Sequence, residues 1–307
     1  MPRKSERPSW KKLLKREKFL QLPAAHDALA VKLIERAGFK AYQVGGFALD
    51  GARYGVPDID LNRLGEKSAA VREIINASEL PVLVDADDGY GDVKNVTHTI
   101  HIYDEMGASA IFIEDQQPPK RCGHMAGKRV IPSHEMAAKV RAAAAARNNK
   151  ESLFLIARTD AIDTDGLDEA LRRAELYLKS GADGLYIEGP HDLKQLAIIG
   201  REFRETPLAV TMLEGGGETP WVAPRELRQL GFSMALYPTT LLFRITQTIE
   251  RALGDLRAGR PMPKSEAVSM KQFEEIVGIV YWAYVENRFK ASEGVSLIQR
   301  LLQRIAA

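Results

Sequence analysis

The chain has 307 residues, of which 45% are hydrophobic and 27% charged, and its 43 basic residues nearly balance 41 acidic ones. This balance gives no general attraction to nucleic acid, and no apolar run is long enough to span a bilayer, so we expect neither partner. The single cysteine excludes an internal disulfide and predicts a reducing, cytoplasmic setting.

The N-terminal segment MPRKSERPSWKKLLKREKFLQLP is basic and lacks the apolar core and cleavage site of a signal peptide. Trp10, Leu13, Leu14 and Phe19 recur at helical spacing, which predicts an amphipathic helix that packs through these side chains. A basic arm for nucleic acid is the less favoured alternative.

Short apolar runs then alternate with helix-like segments along most of the chain. The runs lie in FLQLP, AYQVGG, PVLVDAD, AIFIED, LFLIARTD, GLYIEG, PLAVTM and SMALYP. Several intervening segments end at a glycine, as helices often do: Gly38, Gly107, Gly181 and Gly231. Eight such units predict an α/β fold, a closed (β/α)8 TIM barrel. A doubly wound open sheet is the alternative, but no GxGxxG motif follows a strand.

Two further helical segments follow the barrel units. TTLLFRITQTIERALGDLRAG predicts a long helix, RPMPKSEAV breaks it, and MKQFEEIVGIVYWAYVENRF predicts another apolar helix. We therefore place a barrel domain at 1–260 and a helical extension at 261–307. The extension carries a broad apolar stripe: Phe273, Ile276, Val277, Val280, Tyr281 and Tyr284. The stripe packs either on its own barrel or on a neighbouring subunit, and the pattern leaves both open.

Polar residues that end the apolar runs should converge, because the active site of a parallel barrel lies at the C-terminal ends of its strands. These residues are Tyr42, Gly45, Gly46, Asp85, Asp87, Glu114, Asp115, Arg158, Asp160 and Glu188. Crowded carboxylates repel unless a cation neutralises them, and oxygen ligands favour Mg²⁺, or Mn²⁺, over zinc. Asp85, Asp87 and Glu114 are the candidate ligands, although a single acid could instead cap a helix or pair with an arginine.

The only cysteine, Cys122, lies in the basic loop EDQQPPKRCGHMAGKRVIP. A lone cysteine is usually a small buried hydrophobe, which is the alternative here. Its polar neighbours, with Lys120 and Arg121 before it, instead predict a lowered thiol pKa and proton transfer near neutrality. Gly123 permits close approach of substrate, and His124 could orient the thiol.

The cationic side chains Lys120, Arg121, Arg158 and Arg244 could hold carboxylates of a substrate. Arg158 directly follows the apolar run LFLIA, so a surface position is hard to reconcile with its sequence. Arg121 and Arg244 are weaker candidates.

Taken together, VDADDGYG, IEDQQPPKRCGHMAGKRVI, ARTDA and GLYIEG resemble the isocitrate lyase/phosphoenolpyruvate mutase superfamily. The nearest likeness is to its 2-methylisocitrate lyase and 2,3-dimethylmalate lyase branch, from near Pro23 to near Arg244. The resemblance implies a (β/α)8 barrel whose last helix is exchanged between subunits of a homotetramer. It also implies Mg²⁺-dependent cleavage or formation of a C–C or P–C bond beside a carboxylate.

The resemblance assigns a role to each candidate. The metal-site acids are Asp85, Asp87 and Glu114, and Asp58 matches a position close to metal and substrate. The substrate-carboxylate cradle is formed by Tyr42, Gly45 and Gly46, in which backbone N–H groups bind the anion. Substrate contacts come from Arg158 and Glu188. Tyr42 is also a candidate base, with a metal-bound water as the alternative.

The cysteine loop supplies the other expected roles. Cys122 resembles the acid that protonates the departing carbanion. Its neighbours in the loop Gln116–Arg129, which is expected to close over the substrate, are Lys120, Arg121, Gly123 and His124.

Three positions depart from the common lyase pattern. Val44 replaces a serine, Phe112 replaces a histidine, and Thr211 replaces an asparagine that contacts the substrate carboxylate. We expect a carbon–carbon lyase that cleaves a 2-hydroxy di- or tricarboxylate, of 2-alkylmalate or 2-methylisocitrate type, to an α-keto acid and a carboxylate. The alternatives are a phosphonate or phosphoenolpyruvate-type mutase or hydrolase, an oxaloacetate hydrolase or decarboxylase, and an inactive binding or assembly protein.

Overall fold

The computed structural model describes residues 7–149, 151–217 and 219–294. The first six residues of the basic N-terminal segment and the end of the predicted extension, from residue 295, lie outside the described residues. The chain divides into two compact units, and the division falls between Ile249 and Glu250.

Eight parallel strands form one sheet in the order β1-β8-β7-β6-β5-β4-β3-β2. Their bounds are β1 Leu20–Pro23, β2 Tyr42–Val44, β3 Val82–Asp85, β4 Ala110–Glu114, β5 Phe154–Thr159, β6 Gly184–Ile187, β7 Leu208–Thr211 and β8 Met234–Tyr237. A parallel bridge between Ala24 and Gln43 joins β1 to β2, so the sheet nearly closes on itself. Each predicted apolar run contains one strand, and the predicted (β/α)8 barrel is confirmed.

Helices connect the strands and extend the chain at both ends. Their bounds are α1 Trp10–Glu17, α2 Ala28–Arg36, α3 Gly46–Leu49, a π-helical turn Asp50–Tyr54, α4 Leu64–Asn76, α5 Val93–Met106, α6 Ser133–Ala146, α7 Ala161–Asp165, α8 Leu167–Lys179, α9 Leu193–Glu202, α10 Pro224–Gln229, α11 Thr240–Arg257, α12 Met270–Val277 and α13 Ile279–Gly294. The strand–helix pattern leaves α3, α4 and α7 unpredicted. The prediction of one helix after residue 270 is wrong, because Gly278 ends α12 in a left-handed conformation with φ 80°.

Side chains of the barrel form two apolar layers. An inner cluster inside the sheet includes Leu83 and Phe112, together with Trp10 and Leu13 from α1. An outer cluster joins strands to the surrounding helices. The predicted packing side of the N-terminal helix is therefore confirmed for its three buried members, whereas Phe19 packs against the outer cluster.

The second unit contains the end of α11 together with α12 and α13. Many of its apolar side chains are exposed, including Val280 and Tyr284 of the predicted stripe. Within the described ranges, no helix combines the length and the apolar character needed to cross a membrane.

Candidate active site

A cavity of about 50 Å³ lies where the C-terminal ends of the strands meet the cysteine loop. It has room for a few water molecules, since one water centre needs about 10–15 Å³. The structure brings most of the predicted site residues to its lining: Gly45, Gly46, Asp58, Asp85, Glu114, Lys120, Arg121, Cys122, Gly123, His124, Arg158, Glu188 and Thr211. Asp87 and Tyr42 are outside this lining.

Asp85 and Asp87 form the acidic end of β3. The two oxygens of Asp85 accept the backbone N–H groups of Gly46 and Asp87, each at 2.9 Å. Asp87 does not line the cavity, and its carboxylate lies between two ammonium groups. Lys67 Nζ is 2.7 Å from its Oδ2, and Lys120 Nζ is 2.5 Å from its Oδ1.

The environment shifts the pKa of each acid in a different way. Burial raises the pKa of Asp85, and the neighbouring Asp87 charge raises it further. Burial acts on Asp87 in the same direction, but Lys120 and Lys67 outweigh it and hold the pKa of Asp87 below its usual value. Burial raises the pKa of Glu114 well above normal, although Arg158 Nε lies only 3.3 Å from Glu114 Oε2.

These acids fit a hard cation that keeps some of its own waters. Glu114 Oε1 is buried and has no hydrogen-bond partner among the described residues. Gly46 leaves open the space in which a Cβ would lie 3.3 Å from both Asp85 and Asp87 oxygens, and 3.1 Å from Lys67 Nζ. In the ranges that the structure describes, no three acidic, histidine or cysteine side chains form a complete metal-ligand set. The arrangement therefore suits Mg²⁺, which often uses one or two carboxylates and several waters.

Lys67, in α4, is a charged neighbour of the site that the sequence reading missed. Its side chain is buried, and it joins Asp87 to Asp50 of the π-helical turn, 3.4 Å away. Burial opposes its charge, but the carboxylates of Asp87, Asp58 and Asp85 together outweigh burial, and the pKa of Lys67 is raised. A signal was present: Lys67 lies at helical spacing with Ala70, Val71 and Ile74, on the apolar face of α4.

Arg158 carries the cationic side of the cavity from β5. Its Nε and Nη2 donate to the two oxygens of Asp160, each at 2.9 Å. Nη2 also lies 3.6 Å from Glu188 Oε2. The guanidinium is thus buried, fixed in orientation and aimed at the cavity, as the sequence led us to expect.

The cysteine loop is held over the cavity by Asp58. Lys120 Nζ donates to the Asp58 carboxylate at 2.6 Å, and the backbone N–H of Cys122 donates to the Asp58 carbonyl at 3.0 Å. Gln116 also braces the loop, because its side-chain amide bonds both the N–H and the carbonyl of Arg121. These contacts place the thiol in the lining of the same cavity as the acids of β3 and β4.

The expected lowering of the Cys122 pKa is wrong. Burial and the nearby Asp58 charge raise it to about 11, and Lys120 and Arg158 only partly oppose this shift. The group is therefore a protonated thiol at neutral pH. It suits the role of a proton donor rather than that of a thiolate nucleophile.

The residues on either side of Cys122 differ in their contacts. Gly123 passes so close to Arg158 that a Cβ would overlap Nη2 and press on the Glu188 side chain, which explains the glycine. His124 Nε2 is 3.4 Å from Glu188 Oε1. Arg121 lines the cavity, and its side chain is otherwise exposed.

Two candidate residues point away from the cavity. Tyr42 is fully buried in the outer cluster, between β2 and the helices, so its phenol is not placed to act as a base. Its neighbour Gln43 lines the cavity instead, because successive strand residues face opposite sides. Arg244 is exposed and pairs with Glu214 at 3.2 Å, outside the cavity lining.

Residues 10–257 match the phosphoenolpyruvate phosphomutase family. The chain belongs to this family. It is also 34% identical to 2,3-dimethylmalate lyase of Eubacterium barkeri over 285 residues, which cover 91% of this chain and 96% of the relative. Identity to 2-methylisocitrate lyase of Bacillus subtilis (strain 168) is 37% over 248 residues, or 80% of this chain and 79% of the relative.

Solved structures of the superfamily agree with the barrel. Oxaloacetate acetylhydrolase in complex with 3,3-difluorooxalacetate superposes with a TM-score of 0.84 at 28% identity, covering 89% of this chain and 92% of that one. Phosphonopyruvate hydrolase in complex with oxalate and Mg²⁺ superposes with a TM-score of 0.78 at 26% identity, covering 90% and 96%. The resemblance to the isocitrate lyase/phosphoenolpyruvate mutase superfamily, and the prediction of an enzyme of the lyase type, are confirmed.

The pKa of Cys122 can be tested directly, because it is the only thiol in the chain. We expect its alkylation rate by iodoacetamide to rise with pH up to a midpoint of about 11 in the folded protein, because burial disfavours the thiolate. The same chain unfolded in urea serves as the control, with a midpoint of about 8.5. A folded-state midpoint at or below that of the unfolded chain would contradict this environment.

Proposed function

We propose that this protein is a Mg²⁺-dependent carbon–carbon lyase that cleaves a malate-type 2-hydroxy di- or tricarboxylate into an α-keto acid and a carboxylate. The main support is the protonated Cys122 thiol in the same cavity as Arg158 and the acids Asp85 and Glu114. That arrangement combines a proton donor with a place for negative charge to develop. The single free thiol also favours a reducing, cytoplasmic setting.

The chemistry is a retro-aldol cleavage. The substrate hydroxyl gives its proton to a water molecule in the cavity, its C–O bond becomes a carbonyl, and the bond between the hydroxyl-bearing carbon and the next carbon breaks. The electron pair stays on that next carbon, where its carboxylate spreads the charge. The buried Arg158 guanidinium stabilises the resulting enediolate electrostatically, and Cys122 then donates its proton to the carbon. Solvent restores the thiol proton after the loop opens.

A bound Mg²⁺ would supply Lewis-acid stabilisation of the alkoxide and the keto acid. Asp85, Asp87 and Glu114 would hold it, directly or through water, at the acidic side of the cavity. Gly45 and Gly46 are the proposed backbone cradle for the substrate carboxylate, which would compete with Asp85 for the Gly46 N–H. Asp58, Lys120 and Arg121, with Gly123 and His124, keep the loop closed over the substrate, and Glu188 and Thr211 complete the wall.

Substrate entry requires this loop to move. Five residues of the loop line the cavity, Lys120 to His124, so a dicarboxylate would reach it when the loop opens. Lys120 would leave Asp87 and Asp58 when the loop opens and return when it closes. Closure thus brings the Lys120 ammonium back to the acids and returns the Cys122 thiol to the cavity in one movement.

Two other reactions fit the same scaffold. An oxaloacetate hydrolase also expels an enolate that needs a proton, so the Cys122 thiol is compatible with it, and oxaloacetate acetylhydrolase shares the fold. A phosphoryl mutase has no carbanion to protonate, which makes the thiol harder to explain. The lyase is therefore the first choice and the oxaloacetate hydrolase the second.

The reaction class can be tested by supplying 2,3-dimethylmalate, 2-methylisocitrate, oxaloacetate and phosphonopyruvate to the purified protein. We expect keto-acid release from the malate-type compounds with Mg²⁺, and at least a tenfold loss of rate in a chelator. Oxalate release from oxaloacetate, with no reaction of the malate-type compounds, would favour the hydrolase. The lyase proposal fails if no malate-type compound yields a keto acid.

Replacement of the thiol tests the acid role. Cys122→Ser should lower kcat by about 10²–10⁴-fold, since that is the usual contribution of a general acid. KM should change little, because the serine keeps the loop contacts of the backbone. Cys122→Ala controls for polarity and should lose as much. A kcat close to wild type in Cys122→Ser would remove the acid role from this residue.

We also propose a homotetramer in which the extension at 261–307, including α12 and α13, packs on a neighbouring copy and the last helix is exchanged. The barrel unit supports this with an apolar groove of about 790 Å³ beside β1 and β8. Leu29, Leu33, Trp221, Tyr237 and Ile245 are among its lining residues. The exposed apolar side chains of α12 and α13 are suited to such a groove.

Light scattering on the purified protein tests this assembly. The wild type should have about four times the chain mass of 34.1 kDa. Val280→Glu should shift the mass to smaller species, because it places a charge in the proposed contact. Lys271→Gln makes the same change in net charge on α12, away from the apolar positions Phe273, Ile276 and Val277, and should leave the mass unchanged. A monomeric wild type would refute the proposal.

A further inference from the structure

Apolar side chains line part of the cavity beside its charged groups. They come from the ends of several strands and their loops and form an apolar wall: Phe47, Phe112, Tyr186, Leu213, Leu236 and Pro238. The rest of the lining includes Asp85, Glu114, Lys120 and Arg158. A bound molecule therefore meets two different environments, one for its charges and one for a hydrocarbon part.

Phe112 is the centre of this wall. Its ring meets the Tyr186 ring edge to face, with centroids 5.4 Å apart and planes at 86°. The guanidinium carbon of Arg158 lies 4.9 Å from the Tyr186 centroid and 5.8 Å from that of Phe112. The two rings thus form a rigid aromatic surface that fixes Arg158 from one side.

The polar groups at this wall already form hydrogen bonds and ion pairs with one another. The Tyr186 hydroxyl contacts both Glu188 Oε2 and Thr211 Oγ1. Arg158 is surrounded by the carboxylates of Asp160, Glu114 and Glu188. An additional carboxylate placed against Phe112 would lie near the Glu188 charge, and a phenyl ring can donate it no hydrogen bond.

The three departures from the lyase pattern differ in their relation to this wall. Val44 belongs to the outer cluster, facing the helices, so its exchange for serine leaves the cavity lining unaltered. Thr211 keeps a hydroxyl in the cavity, though it is engaged with Tyr186. Phe112 places an apolar ring where the lyase pattern has a histidine, which can donate a hydrogen bond to an anion.

We propose that Phe112 is a specificity-determining residue, which makes this site prefer a malate-type dicarboxylate with an alkyl substituent to a tricarboxylate. The inference rests on the proposed lyase function and narrows its substrate class. An alkyl group binds more tightly when it contacts the ring, and one methylene in an apolar pocket changes selectivity by about 10–200-fold. A third carboxylate loses binding free energy, because it would be buried beside Glu188, and the nearby Arg158 cation is already paired with three carboxylates.

The test compares kcat/KM for 2,3-dimethylmalate with kcat/KM for 2-methylisocitrate. The wild type should favour the dicarboxylate at least tenfold, and Phe112→His should reduce this ratio at least tenfold by supplying a donor. Phe112→Leu, which stays apolar, and Val44→Ser, which changes a helix-facing position, should keep the preference. An unchanged ratio in Phe112→His, or an equal loss in Val44→Ser, would overturn the proposal.

A binding measurement separates this inference from the reaction itself. Calorimetry with 2-methylsuccinate and with tricarballylate, neither of which has a 2-hydroxyl to cleave, should show at least tenfold tighter binding of the dicarboxylate. That preference supports the role of the wall even if no malate is cleaved and the lyase proposal fails. Equal or tighter binding of tricarballylate by the wild type refutes it, whether or not the Phe112→His variant folds.

Discussion

The Asp87 carboxylate lies between two buried ammonium groups, and the rest of the site depends on this arrangement. Burying several acids at the barrel mouth is unfavourable unless cations accompany them, and loss of one partner of a buried pair costs about 3–5 kcal/mol. Lys67 is a fixed partner, because α4 anchors it beside Asp50. Lys120 is a partner carried by the cysteine loop, and its Nζ lies 2.5 Å from Asp87 Oδ1.

This division links charge balance to the position of the thiol. Lys120 and Cys122 are two residues apart, and Asp58 holds both, one through its carboxylate and the other through its carbonyl. The loop conformation that pairs Lys120 with the acids is therefore also the one that buries the sulfur. Burial keeps the thiol protonated at neutral pH, in spite of the nearby cations. The proton donor and the loop cation of the charged site are thus positioned by the same contacts.

Relatives of this chain carry names that describe different reactions, among them a lyase, a phosphorylmutase and an oxaloacetate acetylhydrolase. In this chain the acids of β3 and β4, Arg158 and the cysteine loop converge on one cavity. The rings of Phe112 and Tyr186 line the same cavity, and the Tyr186 hydroxyl is already hydrogen-bonded to Thr211. Arg158 packs against both rings, so the charged groups and the aromatic surface meet at this residue.

The sequence by itself determined the eight strand–helix units, the acids at the strand ends and the loop around Cys122, because these depend on local periodicity and on chain order. Only the tertiary structure decided which side chains face the cavity. It turned Tyr42 and Val44 toward the helices and brought Lys67 from α4 to Asp87. It also reversed the expected pKa shift of Cys122, since flanking charges are visible in a sequence but the burial that outweighs them depends on contacts between distant segments.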